Sequence, residues 1–194
     1  MTSEDHIALI SEAVTAGGGQ NATGYRGGGG RWADLGSGGG AFTAALCELL
    51  GARGRIVSMD KDARALRAQE RELRARFPAA HLEFVAADFT GTLALSGLDG
   101  VVMANSLHFQ RDPCAVLTGV RRCLAPGGRI VVVEYDIDSP NPWVPFPLPF
   151  ERLGGAAECA GLAAPVLLGT RPSRYHRRVY AAVCRAGAGA AAAS

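Results

Sequence analysis

Long apolar runs are missing from this chain of 194 residues. None approaches the roughly 20 residues that cross a bilayer, so no membrane partner is expected. Charge of one sign is scarce as well. Twenty Lys and Arg against 18 Asp and Glu leave a formal +2, too little to argue for a nucleic-acid or membrane partner. The five cysteines, Cys47, Cys114, Cys123, Cys159 and Cys184, are odd in number and scattered, with no C-x-x-C pair. That favours reduced thiols in the cytoplasm over disulfides or zinc, and no metal site is expected. The start, Met1-Thr2-Ser3-Glu4-Asp5, is acidic and polar without an apolar core behind it, unlike a secretory signal. With 48% apolar residues the chain is expected to be soluble and to bury the core of a single domain, with no room for a separate catalytic one.

Glycine is abundant instead, and the stretch Trp32 to Phe42 concentrates it where chemistry is expected. It reads as a strand tip, a turn and a helix start. Gly36, Gly38 and Gly40 lack a Cβ, so the turn can take positive φ and a ligand can approach the backbone. The helix that follows aims its free N–H groups and positive end at the turn, the arrangement that binds anions. Gly36-x-Gly38-x-x-Ala41 fits the dinucleotide fingerprint in its G/A form. Asp34 weighs against that ligand, since a carboxylate two residues before the first glycine would repel a pyrophosphate. A zwitterionic amino-acid group could place its ammonium there, and S-adenosylmethionine (SAM) has such a group next to a cationic sulfonium.

Asp34-Leu35-Gly36-Ser37-Gly38-Gly39-Gly40 resembles the class I SAM-dependent methyltransferases, and the similarity runs from about Arg31 to Arg185. Patterning along the chain agrees with that fold. A short amphipathic helix is expected over Glu4 to Ala16, followed by a glycine-rich segment that is a lid or a loose linker, so that residues 1–30 precede the domain. Strands are expected over Arg31–Leu35, Arg55–Met59, His81–Ala86, Gly100–Ala104 and Arg129–Tyr135, and helices over Gly40–Leu50, Asp62–Phe77 and Asp112–Leu124. This alternation implies a doubly wound, Rossmann-like α/β sheet with helices on both faces. Five prolines make Asp136 to Pro149 an extended connection, and a helix is expected over Phe150–Cys159. Two further strands, Pro165–Gly169 and Arg177–Cys184, then close a seven-stranded sheet, mostly parallel with an antiparallel last strand. The domain is expected to span 31–186, and the Ala/Gly tail 187–194 to be disordered.

Parallel sheets of this kind bind ligands at the carboxyl ends of their strands, which selects the residues just beyond each tip. Asp60, about 24 residues past Gly36, can accept hydrogen bonds from both ribose hydroxyls, with Lys61 beside it; the alternative role for Asp60 is capping the next helix. The resemblance implies that Asp88 accepts from the adenine amine and Phe89 meets the ring, with Asn105 and Ser106 beside the sulfonium. The cofactor set is thus Asp34, Gly36, Ser37, Gly38, Gly40, Asp60, Lys61, Asp88, Phe89, Asn105 and Ser106. Asn105-Ser106-Leu107-His108 lacks the Asn/Asp-Pro-Pro-Tyr/Phe motif of base-methylating enzymes, and no paired-glutamate loop of arginine methyltransferases is present. The expected acceptor is therefore a small molecule and not a nucleic acid.

Methyl transfer from SAM is an in-line displacement that mainly requires positioning, with a general base for a hydroxyl or amine acceptor. His108 is the first candidate base and Tyr135 or Asp136 the second; pocket lining without proton transfer is the alternative for His108. Tyr25, His108, Tyr135 and Trp143 are candidate substrate contacts, with Phe146, Leu148 and Phe150 forming either an aromatic wall or a hydrophobic cover over the sheet edge. The arginines of Asp62–Phe77, interleaved with Glu70 and Glu72, read as a solvated helix face. Arg171, Arg174, Arg177, Arg178 and His176 form the strongest basic cluster. Two rival functions remain at this level: a small NAD(P)-dependent oxidoreductase, and a non-catalytic SAM-binding module. The oligomeric state is left open.

Overall fold

A computed structural model describes residues 1–15, 29–173 and 178–186. The elements follow in the order α1 (Ser3–Thr15), β1 (Gly30–Leu35), α2 (Ala41–Leu50), β2 (Gly54–Asp60), α3 (Ala63–Arg76), β3 (His81–Ala86), β4 (Leu98–Ala104), α4 (Pro113–Arg121), β5 (Leu124–Tyr135), α5 (Phe150–Cys159), β6 (Val166–Pro172) and β7 (Arg178–Arg185). The strands form one sheet in the order β3-β2-β1-β4-β5-β7-β6. Neighbours from β3 to β5 are parallel, and β7 is antiparallel to both β5 and β6. Chain order reverses on either side of β1, so β1 and β4 end side by side at a topological switch point, where a crevice opens.

Near-continuous apolar runs form the central strands because helices cover both faces of the sheet. Along β5, Ile130 and Val132 join the cluster built on Leu117 of α4 and Leu153 of α5, while Val131 and Val133 join the one built on Leu9 of α1 and Leu46 of α2. Glu134 continues the first series, at the strand tip. On the second face Arg129, buried over the Trp32 ring, donates Nη1 to the Ala13 carbonyl at 2.9 Å. This satisfies one of the carbonyls that the last turn of α1 leaves without a helical partner.

Several boundaries differ from expectation, most of all at β5, which begins at Leu124 and not at Arg129. The helix expected to reach Leu124 stops at Arg121, because Leu124 is drawn into the sheet opposite Leu98 and the Cys123 carbonyl accepts from Leu98 N at 3.0 Å. Strand β6 likewise runs on to Pro172, paired with Arg178. The expectation of reduced thiols is overturned at one pair: Cys114 in the first turn of α4 and Cys159 at the end of α5 form a disulfide with Cα atoms 5.8 Å apart. Composition carries no trace of it, because the two residues are 45 apart and meet only through the packing of α4 on α5. Cys47, Cys123 and Cys184 are free and buried. The glycine-rich segment 16–28 with Tyr25, the residues Arg174, Tyr175, His176 and Arg177, and the tail 187–194 lie outside the described residues.

Candidate active site

The turn between β1 and α2 needs glycine at alternate positions. Gly36, Gly38 and Gly40 have φ of 79°, 51° and 82°, in the region L side chains rarely adopt. Gly36 N and Ser37 N donate to the Met59 carbonyl, and Gly38 N donates to Asp60 Oδ2 at 2.7 Å, so β2 holds the turn from one side. From beneath, Gln69 of α3 donates Nε2 to Ser37 Oγ at 2.7 Å and to the Gly38 carbonyl at 3.0 Å, while its Oε1 accepts from Ser58 Oγ. Gln69 was missed by the sequence reading. Its signal is a polar residue on the stripe formed by Leu66 and Leu73, three and four positions away.

A Cβ added at Gly36 would lie 2.7 Å from Ser106 Cβ and 3.1 Å from Phe89, whereas one at Gly39 meets nothing within 4 Å. Gly36→Ala is therefore expected to lose about 1–3 kcal/mol of stability from strain and collision, and Gly39→Ala almost none. Equal melting temperatures for the two variants would contradict this geometry.

Asp34 lies beneath the turn, 1% exposed, and accepts from Thr43 Oγ1 at 2.6 Å. Burial pushes its pKa up from 3.8 to about 6; hydrogen bonds from the Thr43 hydroxyl and backbone work against that rise, and the Asp60 charge adds to it. Between about pH 4 and pH 6 the native state thus holds a proton that the unfolded chain has released, so this group's contribution to stability falls as pH rises through that window, by roughly 3 kcal/mol at most. Asp34→Asn is expected to remove the loss. In urea unfolding, the stability of the variant relative to wild type should be greater at pH 7.5 than at pH 4.5, and an equal difference at both would refute the assignment.

Gly36, Gly38, Asp60, Lys61, Asp88, Phe89, Asn105 and Ser106, all expected cofactor residues, come together around one cleft of about 260 Å³, with Phe109 and Gln110 completing it. Asp34, Ser37 and Gly40 are not part of this lining. The acid that caps α3 is Asp62, whose side chain accepts from Arg64 N and Ala65 N; Asp60 accepts from Gly38 N and Asp62 N instead. Asp88 Oδ1 accepts from both the backbone and the hydroxyl of Thr90, and these bonds draw its pKa down, with help from Lys61. Asn105 takes a left-handed φ of 51°, and its N–H donates to the Val133 carbonyl. Among the described residues, Asn105 Oδ1 and Ser106 Oγ are the buried side-chain polar atoms without a hydrogen-bond partner. Such groups cost about 1–3 kcal/mol each unless something bonds to them.

His108 and Glu134, both buried, meet at 2.6 Å between Nδ1 and Oε2. The other oxygen of Glu134 accepts from Leu107 N at 2.8 Å and His108 N at 3.3 Å. With the Glu134 carboxylate accepting, the contact selects the tautomer that carries its proton on Nδ1, which would leave the Nε2 lone pair of the neutral ring free. Glu134 is the second residue the sequence reading missed. The Tyr135 ring lies 5.8 Å from that of His108. Asp136 is held by Arg178 at 2.6 Å and by Phe150 N, and Arg171 lies 3.5 Å from Asp5, so the described part of the basic cluster faces acids. Trp143 is 74% exposed on a turn closed by the Asn141 side chain and lines neither this cleft nor the groove beside it. Phe146 lines that groove, Leu148 is buried, and Phe150 packs edge-on against Tyr180.

Comparison with known proteins gives the same fold. A family model described as a methyltransferase domain matches residues 33–130, half of the chain. No curated protein matches it significantly in sequence. Among solved structures, an arsenic(III) S-adenosylmethionine methyltransferase from Chlamydomonas reinhardtii superposes with a TM-score of 0.66 at 20% identity, over 81% of this chain and 63% of that one. A 1,6-didemethyltoxoflavin N1-methyltransferase from Burkholderia thailandensis, solved with bound 1,6-didemethyltoxoflavin and S-adenosylhomocysteine, gives 0.70 at 18% identity, over 94% of this chain and 79% of that one. The carbon methyltransferase of CurJ gives 0.68 at 22% identity, over 82% of this chain and 49% of that one. The chain thus spans less than two thirds of the first and third of these proteins, and identities this low show the fold alone.

Proposed function

This chain belongs to the methyltransferase-domain family, and from that premise we propose that it is a SAM-dependent methyltransferase acting on a small-molecule acceptor, with His108 as general base and Glu134 as the group that orients it. The observation that carries the cofactor half of the site is the pair of orphaned buried atoms, Asn105 Oδ1 and Ser106 Oγ, at the edge of a cleft whose floor at Gly36 leaves no room for a side chain. These residues fit a ligand that brings an ammonium donor and a carboxylate acceptor. Asp60 would take the ribose hydroxyls, Lys61 would lie beside it, and Asp88 and Phe89 would hold the adenine, with Asp34 adding negative charge beneath the turn.

When bound, SAM supplies a methyl group already activated on sulfur. The chain contributes positioning, worth about 7–11 kcal/mol of the barrier, and a base worth about 10²–10⁴ in rate. With the cofactor bound, the methyl would pass from sulfur to the acceptor with S-adenosylhomocysteine as the leaving group, and His108 Nε2 would hold the proton that the acceptor's nucleophile gives up. Tyr135 and Trp143 are carried in this reading as substrate contacts, Tyr135 for its closeness to His108. No nucleic-acid partner is part of it: on α3, Arg74 pairs with Glu70 and Arg76 with Glu48, which supports a solvated face. Among the described residues no helix is long and apolar enough to cross a membrane. The cytoplasm is retained as the compartment in this reading, where the Cys114–Cys159 bond would meet thiol reductants.

The test is a calorimetric titration of the full chain with SAM, S-adenosylhomocysteine and NADH, followed by a metabolite-pool screen for methylated product. Micromolar binding of the two sulfur ligands is expected, and Asp60→Ala should weaken it by about 1.5–3 kcal/mol, the range for hydrogen bonds to a charged group. A change of less than twofold in Asp60→Ala would remove the ribose role. Methylated product from any small molecule is the expected outcome of the screen, and methylation confined to a macromolecular fraction would overturn the acceptor class.

A further inference from the structure

Beside the cofactor cleft, and sharing Gln110 with it, runs a larger groove of about 640 Å³. Its floor is apolar, built from Leu107 and Leu148, and it lies between the first turn of α4 and the outer side of α5 under the proline-rich connection. Three links hold these walls in place. The Cys114–Cys159 disulfide joins the two helices, Phe146 N donates to the His108 carbonyl at 3.0 Å, and Arg152 donates to the Asp138 carbonyl at 3.2 Å. A groove fixed in this way is preformed, as small-molecule sites usually are.

The lining carries two arginines and two aspartates, and their pairing is incomplete. The Asp112 side chain caps α4 by accepting from Ala115 N at 3.0 Å. Arg152 lies 3.8 Å from Asp138. Arg111 is exposed, stands 5.5 Å over the Phe146 ring, and has no acid partner among the described residues. The groove therefore combines an apolar body with one guanidinium that pairs with no acid among the described residues, and a guanidinium is the side chain best shaped for a carboxylate or phosphate.

We propose that this groove receives the part of the methyl acceptor remote from the reacting atom, and that this part is an apolar arm carrying a carboxylate or phosphate that Arg111 binds. The inference rests on the small-molecule reading above and names its substrate class.

The experiment uses the full chain without cofactor and three probes: octyl phosphate, octanoate and octan-1-ol, titrated by calorimetry into wild type, Arg111→Gln and Gly155→Trp. Gly155 lines the groove, and a Cβ there meets nothing within 4 Å, so a side chain can be attached without a collision at its first carbon, and tryptophan is the largest available to obstruct the groove. Both anions should bind at least about tenfold more tightly than octan-1-ol, as expected of a charge-assisted hydrogen bond. Arg111→Gln should bring them down to the level of the alcohol, and Gly155→Trp should abolish binding of all three. The stronger of the two anions identifies the headgroup. Absence of anion binding, equal affinity for the alcohol, or anion affinity unchanged in either variant would overturn the proposal. Titration of S-adenosylhomocysteine into the same variants, where affinity and melting temperature should match wild type, keeps the outcomes separate. Failure of the groove leaves the cofactor reading standing, and failure of cofactor binding shows in wild type whether or not the probes bind.

Discussion

Glu134→Gln is expected to lower methyl transfer to the acceptor found in the metabolite screen by about 10²–10⁴-fold while leaving S-adenosylhomocysteine affinity within about twofold of wild type. The substitution keeps the volume of the side chain and one oxygen. That oxygen is needed at Leu107 N and His108 N, which would otherwise be buried donors without an acceptor. The new amide group then faces His108 Nδ1, now 2.6 Å from Glu134 Oε2, and can donate to it only if Nδ1 gives up its proton. The proton moves to Nε2, and the lone pair that would accept the acceptor's proton is lost. His108→Ala should lose a similar factor, and the double variant little more than either single one, because the two residues act as a unit. The cofactor should be indifferent, since neither residue lines its cleft. Wild-type turnover in Glu134→Gln would assign the pair to holding the β4–α4 connection and would remove His108 as base.

What could be read in the sequence follows from locality. The glycine turn is legible because positive φ at residues 36, 38 and 40 is a demand on single residues. Asp60, Asp88, Asn105 and Ser106 are legible because a parallel sheet aligns its strand ends, so being just past a strand is enough to place them at the cleft. Glu134 is different. As the last acid of an apolar strand it reads as a surface residue, and only the alternation that sends Ile130 and Val132 into the α4 and α5 side also turns Glu134 inward to a histidine 26 positions earlier. Gln69 is hidden for the same reason, because its partners Ser37, Gly38 and Ser58 come from two other segments. For Asp34 the sequence supports a ligand contact, and the structure adds Thr43, which reaches it from the first turn of α2.

Loss of the Cys114–Cys159 bond is expected to lower the free energy of unfolding by about 2–4 kcal/mol. The closed segment spans 45 residues, and chain-entropy reasoning puts the upper end at about 4 kcal/mol for a loop of that length. For a chain of this size that corresponds to a fall of about 5–15 °C in melting temperature. The segment contains β5 and the proline-rich connection, whose freedom in the unfolded state is what the bond restricts. Wild type should therefore melt lower in a dithiol reductant, and the Cys114→Ser/Cys159→Ser double variant should melt low with or without it. Native-state effects should be confined to one side of the molecule: the glycine turn, Asp60, Asp88, Asn105 and Ser106 all precede Cys114, whereas both helical walls of the groove carry a member of the bond. Reduction should thus leave S-adenosylhomocysteine affinity within about twofold of the oxidised protein and weaken octanoate and octyl phosphate by more than that, through the lost preorganisation. A wild-type melting temperature indifferent to the reductant would mean that the two thiols stay unpaired in solution, as the odd, scattered set of cysteines first suggests.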